Sequence, residues 1–432
     1  MFDPGTIATI AGILGLSIKD LVSALTKAWS RHTDEERKII AAARIDAGLQ
    51  IIHKGLLEKL LLDYYSYDLS RETDLATYSF RVDETEVDTT VVTKSSWINL
   101  NVPLGGERES CELVEKDVPH VPKIGLDKTA EILASIQERG IQIWNDPIYR
   151  LVDIELTQDQ IKASFARDEF FQYRLTIGAL LDEALQALID TEFNIERVIA
   201  EKPNSLPMRQ ELLPGVCELA DLKTRICAGG INVLFAMARG APYHDFAIPI
   251  QRRSRAVSDG QSRISVIPKA FHQPMIDPRA EVNLSSTVYR ELYEELFGGL
   301  EAEKGPRRLR PDWFFGEFEP LKWFLNHHGA YELECTCFGL NLITGNYDFG
   351  ILLAVRDESY WKEFSHLLMT NWEVLDSSEP VVSSKNSHQL SSLIQRSEWA
   401  TEGLFSFVEG LKRLGVLDRK KVNLPDIEEV KP

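Results

Sequence analysis

Residues 283–299 read NLSSTVYRELYEELFGG, and the spacing within this stretch sets the expectations for everything around it. Leu284, Val288, Leu292 and Leu296 recur every four residues, which lines up one apolar stripe along a helix; Asn283 or Ser285 can cap its start. Glu291, Glu294 and Glu295 fall on a different face at intervals of three and four residues, so an α-helix gathers three carboxylates onto one patch. Like charges so placed repel by roughly 0.2–0.5 kcal/mol per pair. A hard divalent cation with a preference for oxygen ligands, Mg²⁺ or Mn²⁺, removes that repulsion. Arg290 can pair with Glu294 one turn later and orient it. The competing reading is a solvated acidic helix face in an acidic chain.

Strand patterns flank this helix on both sides. Upstream stand three short apolar runs, INVLFAMA at 231–238, DFAIPIQR at 245–252 and SRISVIP at 262–268. Downstream, YELECTCFGLNLIT at 331–344 and YDFGILLAV at 347–355 meet at Gly345-Asn346, a hairpin dipeptide. Helical patterns at 359–370, 387–396 and 401–413 follow, which makes residues 226–418 an α/β module. Ahead of it the chain reads as a helix over about 5–29, a long amphipathic helix over 34–63, a small β meander and linker over 71–125, and a helical region over 126–225. The clearest helix of that last region is 169–191. A charged tail, 419–432, closes the chain. The expected class is therefore a multidomain α+β or α/β protein with a helical N-terminal region, residues 1–70.

Arg290-Glu291-Leu292-Tyr293-Glu294-Glu295 resembles the Arg-Glu-u-x-Glu-Glu core of the Nudix box, where u is aliphatic, and the order of elements across 226–418 is similar to that of a Nudix domain. The resemblance implies an α/β/α sandwich around a mixed sheet. It also implies that Glu291, Glu294 and Glu295 hold Mg²⁺ or Mn²⁺, and that the reaction is hydrolysis of a nucleoside diphosphate joined to another group. The family's upstream glutamate falls on Val282, one residue after Glu281, and Glu281 joins the metal set if one residue is inserted. The glycine that follows the paired glutamates in the family falls on Phe297, ahead of Gly298 and Gly299. Family members take the general base from this helix or from a later loop, so Glu295 and Glu373 are both candidates. A diphosphate needs cationic contacts, for which Arg252, Arg253 and Arg255 are the nearest dense cluster, with Lys269 and His272 on the loop ahead of the helix.

Composition bounds the alternatives. The 432 residues are 44% hydrophobic and 26% charged, ordinary for a folded protein. With 48 Lys+Arg against 66 Asp+Glu, the net charge of −18 disfavours a nucleic-acid partner. Five scattered cysteines complete neither a disulfide framework nor a four-ligand zinc site, which fits a reducing cytoplasm. The apolar run 6–16 stops at Lys19 and Asp20, short of a bilayer span, and is expected to pack on its own chain or on a second copy, giving a homo-oligomer. His327-His328 reads as a helix C-terminus. Cys335 and Cys337 read as buried thiols sharing one strand face. Trp313, Phe314, Phe315, Phe318, Trp323 and Phe324 read as core, with one or two able to stack on a nucleobase. The leading function is a Mg²⁺-dependent hydrolase acting on a nucleotide-derived small molecule. A nucleotide-binding sensor without turnover and a plain scaffold are the alternatives.

Overall fold

The computed structural model describes residues 2–29, 47–48, 50–51, 54–70, 74–115, 124–138, 145–252, 263–299, 312–369 and 381–431. The expected helix over 5–29 is two helices, α1 (Pro4–Leu14) and α2 (Ile18–Trp29), bent by 114°. Gly15 makes the break: it takes the left-handed conformation at φ 66°, and the Leu16 N–H returns to the Ala11 carbonyl at 2.8 Å, closing the helix end. No single helix among the described residues is long and apolar enough to cross a membrane. The helix expected over 34–63 is helical at the described positions 47, 48, 50 and 51 and again from 56, with a break at Gly55. Its residues 34–46 lie outside the described residues, and α3 (Leu56–Leu69) starts after Gly55, at φ 60°, and runs beyond the expected end.

The first strands are β1 (Ala76–Val82), β2 (Thr85–Thr93), β3 (Val102–Pro103) and β4 (Glu109–Leu113), followed by α4 (Leu126–Glu138). The region expected to be helical over 126–225 contains a hairpin, β5 (Pro147–Leu156) and β6 (Ile161–Glu169), and β4 joins it parallel to β6. The middle of β5, Ile148 to Val152, is buried on both faces, so the strand lacks the polar alternation that announces a half-buried one. The expected helix 169–191 is divided into α5 (Phe170–Leu175) and α6 (Leu180–Asp190) at Thr176, whose φ of −115° and ψ of −103° are not helical. Short helices follow: α7 (Ile195–Ala200), α8 (Lys202–Ser205), α9 (Pro207–Leu212) and α10 (Val216–Ala220).

The remaining elements are β7 (Gly229–Ala238), β8 (Phe246–Arg252), β9 (Ile264–Val266), β10 (Lys269–Phe271), α11 (Leu284–Glu291), α12 (Trp313–Glu317), α13 (Glu319–Asn326), β11 (Tyr331–Asn341), β12 (Tyr347–Val355), α14 (Glu358–Phe364), β13 (Val381–Ser383), α15 (Ser387–Ile394), α16 (Thr401–Leu417) and β14 (Ile427–Lys431). They build a large mixed sheet in the order β13-β8-β7-β12-β11-β2-β1-β14. At its centre β7 and β12 run parallel, from Tyr347 opposite Gly229 to Val355 opposite Met237; the other pairs are antiparallel. The turn at 342–346 carries Gly345 at φ 69°, as the hairpin dipeptide requires. Two segments read as separate units add to this same sheet. In the 71–125 segment, β2 pairs with β11 through Val92 and Leu340, and from the tail β14 pairs with β1.

Alternation along β7 decides what each face meets. Ile231, Val233, Phe235 and Met237 pack in the cluster that also holds Leu284, Val288, Leu292 and Leu296. Leu234, Ala236 and Ala238 pack in a second cluster with Phe405, Val408 and Leu411 of α16. The sheet thus lies between α11 and α16, and burying each of those leucines contributes about 1.5–3 kcal/mol. A bulge between Cys335 and Cys337 corrects the expectation that they share a face: Cys335 joins the first cluster and Cys337 the second. Both are buried thiols, and burial raises their pKa values.

Candidate active site

Helix α11 presents its apolar stripe as expected, but its start is held from a distance. Asn283 makes no side-chain cap. Instead the buried Glu109 at the head of β4 accepts hydrogen bonds from the Ser285 N–H (3.1 Å) and the Gly105 N–H (2.7 Å). A carboxylate at that end satisfies an orphan amide and complements the helix dipole. At its other end the helix widens into a π turn over Leu292–Leu296. Bonding from i to i+5 adds a residue to the turn, so spacings of three and four no longer stack side chains as they do on an α-helix.

That widening alters the carboxylate trio. Among the described residues no group of three or more His, Cys, Asp or Glu side chains stands in metal-holding geometry. Glu291 is nearly buried, and its Oε1 accepts from Arg290 Nε (3.2 Å) and Nη2 (3.0 Å). The expected pairing of Arg290 with Glu294 is replaced by this contact with its chain neighbour. The third guanidinium nitrogen, Nη1, donates to the Gln273 carbonyl at 2.9 Å and ties the helix to the preceding loop. Glu295 Oε2 accepts the Lys269 main-chain N–H of β10 at 2.8 Å. Glu294 is half-buried on the widened turn. Two of the three carboxylates are therefore restrained by hydrogen bonds, Glu291 by Arg290 and Glu295 by the Lys269 N–H.

The other predicted residues are dispersed. Glu281 is 5% exposed, and its Oε2 accepts the N–H groups of Met275 (2.9 Å), Ile276 (2.9 Å) and Asp277 (3.1 Å). It closes the loop ahead of α11 and does not join the metal set, because three charge-assisted hydrogen bonds hold it better than a cluster of like charges would. The Lys269 ammonium pairs with Glu402 of α16, and both side chains are buried. His272 is fully buried between Tyr149 and Phe165. Its Nε2 donates to the Val282 carbonyl at 2.9 Å, and its Nδ1 accepts from the Thr287 hydroxyl at 2.8 Å. Burial lowers its pKa to about 3, so the ring is a neutral staple between loop and helix rather than a substrate contact. Arg252 ends β8 with its guanidinium 3.7 Å from Glu398. Arg253, Arg255 and Glu373 lie outside the described residues.

Aromatic residues cover the outer side of this helix. Tyr289 meets Phe315 at 4.8 Å, Tyr293 meets Trp313 and Phe318 at 5.2 Å each, and Phe297 meets Phe318 at 5.3 Å. These edge-to-face contacts hold α12 and α13 against the acidic helix. Phe314, Trp323 and Phe324 are buried, as expected of a core cluster. His327 lies parallel to Trp323 at 4.2 Å, and its Nδ1 donates to the Trp323 carbonyl at the helix end. A cleft of about 410 Å³ opens beside the loop that Glu281 closes, with Glu115, Arg167, Asp277 and Arg279 on its walls. Neither Glu109 nor this cleft had a local signal, since both depend on β4 and β6 meeting residues more than a hundred positions away. No family model and no curated protein matches this chain.

Proposed function

We propose that residues 226–418 act as a Mg²⁺-dependent, Nudix-type hydrolase of a nucleoside diphosphate derivative. The observation that carries the reading is the restraint of Glu291 by the Arg290 guanidinium and of Glu295 by the Lys269 N–H. Metal-ligating carboxylates are commonly themselves hydrogen-bonded in this manner, and the donor set is all oxygen, which suits a hard cation. The strand, loop, helix and hairpin order around the parallel pair β7 and β12 also supports it. Glu291, Glu294 and Glu295 would hold the cation, which when bound supplies charge neutralisation at the phosphates and acidifies a water. Glu295 would serve as the base that takes a proton from the attacking water, with Glu373 as the other candidate. Arg290 fixes Glu291, and the aromatic cover of α12 and α13 limits access of bulk water to the helix. The substrate reads as a small nucleotide-derived molecule of the cytoplasm, with residues 1–225 serving its recognition or self-association.

A second reading is favoured by Glu281, whose three amide bonds take it out of the helix face. In that reading the module binds the nucleotide without turning it over and acts as a sensor. Incubating the full chain with a panel of nucleoside diphosphate derivatives and Mg²⁺ or Mn²⁺ separates the two. Hydrolysis is expected to fall by about 10²-fold or more in Glu295→Gln, and to fall also in Glu294→Gln. Equal background in all three proteins eliminates the hydrolase. A rise in melting temperature with nucleotide then supports the sensor.

A further inference from the structure

Strand β14 stands at one end of the sheet order and pairs antiparallel with β1: Val82 lies opposite Ile427, Arg81 opposite Glu428 and Phe80 opposite Glu429. Residues opposite one another point to the same face, and successive residues point to opposite faces. The two acids of β14 are therefore divided between the faces. Glu428 reaches Arg81 at 3.4 Å, and both side chains are exposed. Glu429 turns to the α16 side, where its Oε1 accepts from Lys412 Nζ and, at 2.7 Å, from Asn99 Nδ2. Ile427 rests on the same cluster as Phe80 and Val82.

Side-chain burial does little to hold the strand. None of residues 427–430 is buried, and ion pairs at the surface contribute little. The firmer anchors lie just ahead of it: Leu424 packs on the second cluster, the Asn423 N–H donates to the Ser384 carbonyl at 2.9 Å, and the Asp83 N–H donates to the Asp426 carbonyl at 2.8 Å. Opening of β14 from Asp426 onward therefore exposes little apolar surface. The edge it covers has partners of its own. Glu409 of α16 is 1% exposed; its Oε1 accepts from the Tyr78 hydroxyl and from Lys412 Nζ at 2.7 Å each, and its Oε2 accepts from the Asn99 N–H at 2.8 Å. Both groups that meet Glu429 thus keep Glu409 as a partner when Glu429 leaves.

We propose that the edge of β1, flanked by Arg81, Lys412 and Asn99, is a docking site for an extended peptide of the pattern apolar-acid-acid, which β14 occupies within the chain and yields to a competing segment. Backbone pairing along an edge strand supplies adhesion, and the flanking side chains supply selectivity. The first acid meets Arg81 on one face, the second meets Lys412 and Asn99 on the other, and the residue before them meets the apolar cluster at Val82. The inference is independent of any reading of the acidic helix.

The test uses the full chain and a fluorescein-labelled peptide LPDIEEVK, the sequence of 424–431, followed by anisotropy. In the chain carrying both Glu428→Ala and Glu429→Ala, β14 is weakened and the edge is unaltered. Its affinity for the peptide is expected to exceed that of wild type about tenfold, because less of the site is taken from within. Adding Arg81→Ala and Lys412→Met is expected to reverse the gain; Arg81→Ala alone, at an exposed position, serves if Lys412→Met fails to fold. A control peptide LPDIQQVK is expected to bind the double variant about tenfold more weakly than LPDIEEVK. In wild type, amide exchange over 427–431 is expected to be faster than in β7 and β12. No gain of affinity in the double variant overturns the proposal, as does equal binding of the two peptides, which reduces the contact to unselective strand pairing. Exchange over 427–431 as slow as in β7 also overturns it, since β14 then never leaves the edge.

Discussion

His272 is where local pattern and tertiary environment differ most. As a histidine on a loop before an acidic helix it reads as a substrate contact, yet it is enclosed by Tyr149, Phe165, Thr287 and Val282. Burial depresses its pKa in the folded state to about 3 from an ordinary value of 6.5. The unfolded chain therefore takes up a proton below pH 6.5 that the folded protein refuses, and stability falls as the pH drops from 6.5 toward 3. Between pH 7 and 4.5 this group alone is expected to remove about 2–3 kcal/mol. Urea titrations at the two pH values should show that loss in the wild type and lose this component in His272→Gln; equal pH dependence in both proteins would exclude it. Glu281 illustrates the same point with opposite charge, since three backbone amides decide its direction. Residue type suggested chemistry at both positions, and neighbours distant in the chain determined orientation.

At the scale of elements, α11 was legible because a four-residue apolar repeat needs only local spacing to declare a helix. The strands β7, β8, β11 and β12 were legible for the same reason, as runs rich in β-branched and aromatic residues bounded by turns. The hairpin β5–β6 was not, because burial on both faces removes alternation. Helix ends were also misplaced wherever one residue turned the chain, as at Gly15, Gly55 and Thr176. The cap of α11 is the plainest case, for Asn283 is a good local cap but Glu109 does the capping. Glu109→Ala is expected to cost about 1–2 kcal/mol, a typical loss for a cap. Thermal melting measures the cost, and faster amide exchange at Ser285 locates it; unchanged protection at Ser285 would show that the helix start does not depend on β4.

At the scale of the whole molecule, the N-terminal helices and the sheet share one hydrophobic cluster, from Ile10 and Leu21 through Leu60 to Phe349. Arg209 of α9 ties these parts together. It is fully buried and donates to the Leu342 and Ile343 carbonyls at 2.7 Å each, to the Tyr65 hydroxyl at 3.1 Å and to the Leu180 carbonyl at 3.3 Å. Arg209→Met leaves those carbonyls without a charged donor, and a loss of about 3–5 kcal/mol is expected from bonds of this type. A single urea transition moving to lower denaturant in Arg209→Met is the expected result, whereas two separate wild-type transitions would show that the joint is not cooperative. The sequence by itself determined the strands β7, β8, β11 and β12 and the presence of an acidic helix, because both follow from spacing along the chain. Tertiary structure decided that 71–125 and the tail extend the same sheet, and that Glu291 and Glu295 are restrained while Glu281, Lys269 and His272 face elsewhere. The reason is physical: periodicity fixes which side of an element is apolar, but the partner a buried polar group finds depends on which distant segments fold against it.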